Sequence, residues 1–351
     1  MTLALRSGLV AALGTIMLGG CAAGERPAAM LPAVAVSAAA ETTPVGSSVG
    51  QDAADDPAIW AAPVGTTASF QGKPVEALIL GTDKKAGLYV YGMDGAALQF
   101  LPDGRLNNVD LLPDGNGFLA AASDRGRMGV ALYRYAGSGE LVPAGFIRSD
   151  VAEPYGFCMG RWNGRMLAVL VAKDGGVRIY AVSGSGTAMT GAEVDRFAVG
   201  SQSEGCAIDE ASGDLYIGEE NVGLWRYRLG DTGARTLVEP VGADKLVADV
   251  EGVTVLVDGD ARYLLVSSQG DSGFAVWRLD GGTPAYLNRF RVVAANGVDG
   301  VSGTDGIDAL GGRVGPYPRG LVVTQDDDND GEPQNFKLID WRTILAAVEP
   351  R

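Results

Sequence analysis

The segment "LYIGEENVGLWRY", residues 215–227, recurs along the chain in altered form, and that recurrence constrains the fold more than any other feature. Its relatives are "LILGTDKKAGLYVYGMDG" from 78, "LAAASDRGRMGVALYRYAG" from 119 and "LAVLVAKDGGVRIYAVSG" from 167. Two more follow, "YLLVSSQGDSGFAVWRLDG" from 263 and "GLVVTQDDDNDGEPQNFKLIDW" from 320. Each joins an apolar strand to an alternating strand, often with Tyr or Trp, through a polar tip that usually holds a glycine. Six copies spaced by roughly 40–57 residues match the repeat of propeller blades.

A second series runs ahead of the first: "DDPAIW", "LNNVDLL", "EPYGFCM", "SEGCAID", "DVEGVTVL" and "TDGIDAL". Every member joins polar or acidic residues to a short apolar strand. The units therefore read as about four antiparallel strands each, an all-β chain folded as a six-bladed β-propeller. Adjacent strands run antiparallel, so the start of one lies beside the end of the next, and both series gather on one face near the axis. The sixth unit lacks an outer strand after "NFKLIDW"; the chain ahead of Asp55 is the expected donor.

Ahead of the propeller, "MTLALRSGLVAALGTIMLGGCAAG" has one early charge, Arg6, then an apolar run too short to span a bilayer. Leu18-Gly19-Gly20-Cys21 reads as a lipoprotein box with Cys21 lipidated. Residues 1–20 are thus an export signal and 21–50 an Ala/Pro/Thr-rich tether that can donate the closing strand; 51–351 form the catalytic propeller. The expected location is the cell envelope. Ala22 gives no signal for retention at the inner membrane; the outer membrane is the expected site, with a periplasmic or secreted protein as the alternative.

The chain contains no histidine, which removes the Ser-His-Asp triad, phosphohistidine chemistry and histidine-bound zinc. Acidic residues outnumber basic ones 43 to 28, and the net charge of −15 argues against nucleic acid as partner. Cys158 and Cys206 stand two and one residues after Gly156 and Gly205, an offset that points them to opposite faces of matched strands. A disulfide is possible, but this offset favours two buried free thiols.

In order, the tips are Lys84-Lys85, Arg125, Lys173-Asp174, Glu219-Glu220, Gln269 and Asp326-Asp327. The first three are mainly cationic and the last three mainly anionic. Carboxylates crowded on one face raise each other's pKa unless hard cations lie between them, and several calcium ions suit an all-oxygen donor set. The run from Asp326 imitates an EF-hand but has Lys337 where the bidentate glutamate belongs. A cationic arc facing calcium suits a substrate with several phosphates, with a water held at metal or carboxylate as nucleophile.

Taken together, "DDPAIW", "TDKKAGLYVY", "LNNVD", "ASDR", "YGF", "SEG", "YIGEE", "DVEG", "SSQG", "TDGID" and "QNFK" resemble the β-propeller phytases, in family order from about residue 50 to the end. The resemblance implies calcium-dependent release of phosphate from phytate, the hexakisphosphate of myo-inositol. It implies phosphate contacts from Lys84, Lys85, Arg125, Tyr155 and Lys173. It implies calcium ligands in Asp56, Glu204, Glu219, Asp249, Glu251, Gln269, Asp299 and Asp305, with Asp55, Asn108, Asp110, Glu220, Asp308 and Asp326 as further candidates. Lys84, Arg125, Tyr155, Glu219 and Asp305 would carry catalysis in a monomer. Two departures from the family pattern are Ala86, which removes a hydroxyl donor, and Gly303, which removes a peripheral metal contact. The alternatives are a propeller that binds inositol phosphates without cleaving them and a calcium-containing lactonase or esterase.

Overall fold

In the strand Ala77–Asp83, Leu78 and Leu80 pack with Phe118 and Tyr133, whereas Ala77 and Ile79 pack with Phe336 and Leu338. Successive side chains alternate between faces, so an apolar residue at every position means a sheet buried on both sides. Fully burying a large apolar side chain contributes about 1.5–3 kcal/mol. Such strands are therefore stable only when another sheet lies on each face.

The computed structural model, which describes residues 30–242 and 244–349, meets this requirement with a ring. Four-stranded antiparallel units begin at the inner strands Ala54–Ala61, Leu106–Asp114, Pro154–Trp162, Ser203–Asp209, Val250–Asp258 and Ile307–Gly311. Each inner strand contacts the next, and the last contacts the first. Apolar clusters fill the interfaces between consecutive units, including the one between the sixth and the first. A cavity of about 130 Å³ lined by all six inner strands marks the axis. This is a β-propeller with six blades.

The ring closes through residues placed in the tether by the sequence reading. Ala40–Glu41 pairs antiparallel with Asn335–Asp340 as the outer strand of the sixth blade. Val34–Val36 adds a parallel fifth strand to the fifth blade, along Ala285–Val292. The helix Trp341–Val348, capped by the Asp340 side chain, buries Trp341, Ile344 and Val348 against these two blades. No described helix is long and apolar enough to cross a membrane. Cys21 and the leader lie outside the described residues.

The two thiols expected to be free are joined: Cys158 and Cys206 form a disulfide with their Cα atoms 5.6 Å apart. The one-residue offset explains the bond. Neighbouring blades stack face to face, so cysteines on matched strands meet only when they point to opposite faces of their own sheets.

Candidate active site

Five inner strands share one irregularity at their site end. Asp55 and Asp56 together face Thr82, Asn107 and Asn108 face Ser123, and Tyr155 and Gly156 face Val171. Glu204 and Gly205 likewise face Gly218, and Glu251 and Gly252 face Ser267. Each is a β-bulge, two residues against one, which redirects a side chain. In the sixth blade Asp305 and Gly306 hold the same place: Asp305 N donates to Gln325 Oε1 at 2.8 Å, and Gln325 N to the Gly306 carbonyl at 3.0 Å. The first member of each pair turns to the open face. The second turns to the axis.

Four of the first members, Tyr155, Glu204, Glu251 and Asp305, line a cleft of about 480 Å³, and Asp55 and Asn107 are buried. Asp249, Gln269, Lys84 and Glu220 join them from neighbouring segments. One oxygen each of Glu204, Glu220 and Glu251 lies within 4.8 Å of the others, and all three residues are buried. Two unit charges at that separation repel by about 3–4 kcal/mol at an effective dielectric near 20. Burial raises the pKa of all three, most for Glu251, where the Glu204 charge adds to it. Among the described residues, Glu220 Oε1 and Glu251 Oε2 have no hydrogen-bond donor. Three convergent carboxylates, two of them with an unpartnered oxygen, fit a hard divalent cation.

Lys84 separates this trio from the first blade. Its Nζ lies 2.5 Å from Asp52, 3.0 Å from Asp55 and 2.9 Å from Asp305. Burial alone would lower its pKa, but Asp55, Asp305, Glu204 and Asp52 outweigh that and raise it. Burial pushes Asp55 and Asp305 up to about 7 against the pull of the same ammonium.

The cationic arc borders the cleft on the side of the second and third blades. Arg125 Nε donates to Glu153 Oε1 at 2.8 Å and its Nη1 to Asn107 Oδ1 at 2.7 Å. The Tyr155 ring lies between two cations, 5.5 Å from the Arg125 guanidinium and 5.2 Å from Lys173 Nζ. Such contacts contribute about 0.5–2 kcal/mol each and fix the ring. Lys85 stands exposed at the first tip.

Several expected residues lie elsewhere. Glu219 turns from the cleft: it accepts hydrogen bonds from Ser201 Oγ at 2.6 Å and Trp225 Nε1 at 2.7 Å. Strand alternation places it opposite Glu220. Asp56, Asp110 and Asp308 face the axis, where they accept backbone hydrogen bonds from Val109 (3.1 Å), Met159 (2.6 Å) and Ile59 (2.7 Å) of the following blades. They stitch the ring. Asn108 borders the same axial cavity, but its amide also reaches the site, 3.0 Å from Glu204 Oε1. Asp299 and Asp326 gather instead around the buried Lys337 ammonium, with Glu41 and Asn329.

Asn107, Asp52 and Gln202 went unnoticed in the sequence. Asn107 Nδ2 donates to Glu204 Oε1 at 2.5 Å and so links the arc to the trio. Its signal was the "NN" pair itself, whose first member matches Asp55, Tyr155 and Glu204 once the bulges are aligned. Asp52 and Gln202 lie just outside the repeated motifs and carried no signal.

A family model described as Phytase matches residues 4–350. The 3-phytase of Bacillus subtilis (strain 168) is 36% identical over 336 residues, spanning 89% of this chain and 85% of the relative. The matched span covers every blade, and the chain belongs to the phytase family.

Proposed function

We propose that this chain is a calcium-dependent phosphomonoesterase acting on phytate, releasing inorganic phosphate and lower inositol phosphates. The observation that carries the reading is the buried trio Glu204, Glu220 and Glu251 sharing one cleft with Tyr155, whose ring is flanked by the cations Arg125 and Lys173. Glu204, Glu220 and Glu251, with Asp55, Asp249, Gln269 and Asp305 around them, are the residues suited to hold several calcium ions. Calcium bound there supplies positive charge that offsets the carboxylates and polarises a phosphoryl oxygen.

The chain's own groups do the rest. Arg125 is fixed by Glu153 and Asn107, so its remaining donor edge is available to one phosphate without a search through rotamers. Lys173 and Lys85 present charge to neighbouring phosphates of the same ring. The Lys84 ammonium remains charged beside the scissile position, able to donate to a phosphoryl oxygen as negative charge builds. The Asp55 and Asp305 carboxylates, 3.0 and 2.9 Å from its Nζ, are placed to take a proton from water.

We further read residues 1–20 as an export signal and Cys21 as the lipid attachment point of an outer-membrane lipoprotein acting as a monomer. Fatty-acid labelling lost in Cys21→Ala would test this. The function is tested by phosphate release from phytate in chelator-treated and calcium-replete protein. Release that requires calcium supports it, and tight phytate binding without release at any calcium level contradicts it.

A further inference from the structure

The second position of the six bulges divides in two. It is Asp56 and Asn108 in the first two blades but Gly156, Gly205, Gly252 and Gly306 in the other four. The glycines follow one rule. A methyl group added at Gly156 would overlap the carbonyl oxygen of Glu204, and one at Gly205 that of Glu251. At Gly252 it would crowd the carbonyl oxygen of Asp305 and the amide of Ile307, and at Gly306 the backbone of Asp55 and Asp56. Each glycine thus abuts the backbone of the cleft residue supplied by the next blade. Two of the contacts are hydrogen bonds, Gly252 N to the Asp305 carbonyl at 2.9 Å and Gly306 N to the Asp55 carbonyl at 3.0 Å.

From this we infer that Gly156, Gly205, Gly252 and Gly306 are positioning residues for the reaction: their missing side chains set the spacing between Tyr155, Glu204, Glu251, Asp305 and Asp55. The inference rests on the calcium reading above. A side chain at any of the four pushes two adjacent blades apart at the cleft rim, and a donor set for calcium tolerates only a few tenths of an ångström in its oxygen distances. In the interface of the third and fourth blades, contact farther from the cleft runs through a side chain that can shift. Gly160, on the same inner strand as Gly156 but farther from the cleft, meets only the side chain of Ile208 in the next blade. Its role is packing.

The test compares Gly205→Ala and Gly252→Ala with Gly160→Ala and the parent protein. Calcium binding is followed by calorimetry, and melting is recorded with calcium and with chelator. The expected result is calcium affinity at least tenfold weaker in Gly205→Ala and Gly252→Ala, with most of the calcium-induced rise in Tm lost. Gly160→Ala melts earlier in both conditions but binds calcium within about twofold of the parent. If Gly205→Ala does not fold, Gly252→Ala decides alone, because its added methyl meets the milder overlap. Parent-like calcium affinity in the cleft variants, or a loss no larger than that of Gly160→Ala, overturns the inference. A parent protein that binds no calcium overturns the metal reading and this inference with it.

Discussion

Glu219 and Glu220 are neighbours in sequence but serve opposite sides of their blade. Glu219 is held by Ser201 and Trp225, while Glu220 presents an unpartnered oxygen to Glu204 and Glu251. The two should therefore fail differently when changed. Glu220→Gln is expected to lower kcat/KM for phytate by more than about a hundredfold and to weaken calcium binding. Glu219→Ala leaves the half-buried Trp225 N–H without its acceptor, costs about 1 kcal/mol of stability, and keeps calcium affinity within a few-fold. Calorimetry with calcium and thermal melts on both variants separate the outcomes.

Arg125 is the one member of the cationic arc whose geometry a lysine cannot copy. Its Nε and Nη2 both address Glu153 while Nη1 addresses Asn107. Arg125→Lys keeps the charge and loses the fork. The expected result is a KM for phytate raised roughly 10–100-fold, as for loss of a charge-assisted hydrogen bond, with kcat changed less. An unchanged KM would remove Arg125 from substrate binding.

Metal-free protein should lose stability as pH rises. Burial raises Asp55 and Asp305 to about 7, above the ordinary carboxylate value they have in the unfolded chain. Between about pH 4 and 7 the folded form therefore holds more protons, and its advantage declines as these groups ionise. Melting in chelator should occur at lower temperature at pH 8 than at pH 5.5, and calcium should reverse the order, since it binds the ionised carboxylates and releases their protons. A metal-free Tm that climbs with pH contradicts this assignment.

Reduction of the Cys158–Cys206 bond opens a loop with a sequence separation of 48. Chain entropy assigns such a cross-link about 4 kcal/mol. Cys158→Ser with Cys206→Ser should lower the unfolding free energy by up to about that amount in denaturant titrations. Parent-like stability would show that the bond adds nothing to the ring.

Blade number and strand order were legible because apolar runs buried on both faces and polar tips repeat at a readable interval. The side of the sheet on which each polar residue lands was not. Strand alternation alone would decide it, but a bulge at each motif breaks the alternation where the chemistry sits. Hence Asp55 reaches the cleft residue Lys84 where Asp56 was the stronger candidate, and Asn107 reaches Glu204 beside the noted Asn108. Likewise the acid run from Asp326 looked like a cation loop, yet Lys337, eleven residues on, returns its ammonium to Asp326 together with Glu41 and Asp299. Within one sequence, nothing marks which buried lysine answers which carboxylate.

The most direct measurement is a crystal structure of the protein grown with calcium, with anomalous scattering used to locate the ion. An anomalous peak between Glu204, Glu220 and Glu251, absent in Glu220→Gln, is the predicted result. Ordered carboxylates with no ion among them, in protein that still releases phosphate from phytate, would contradict the account.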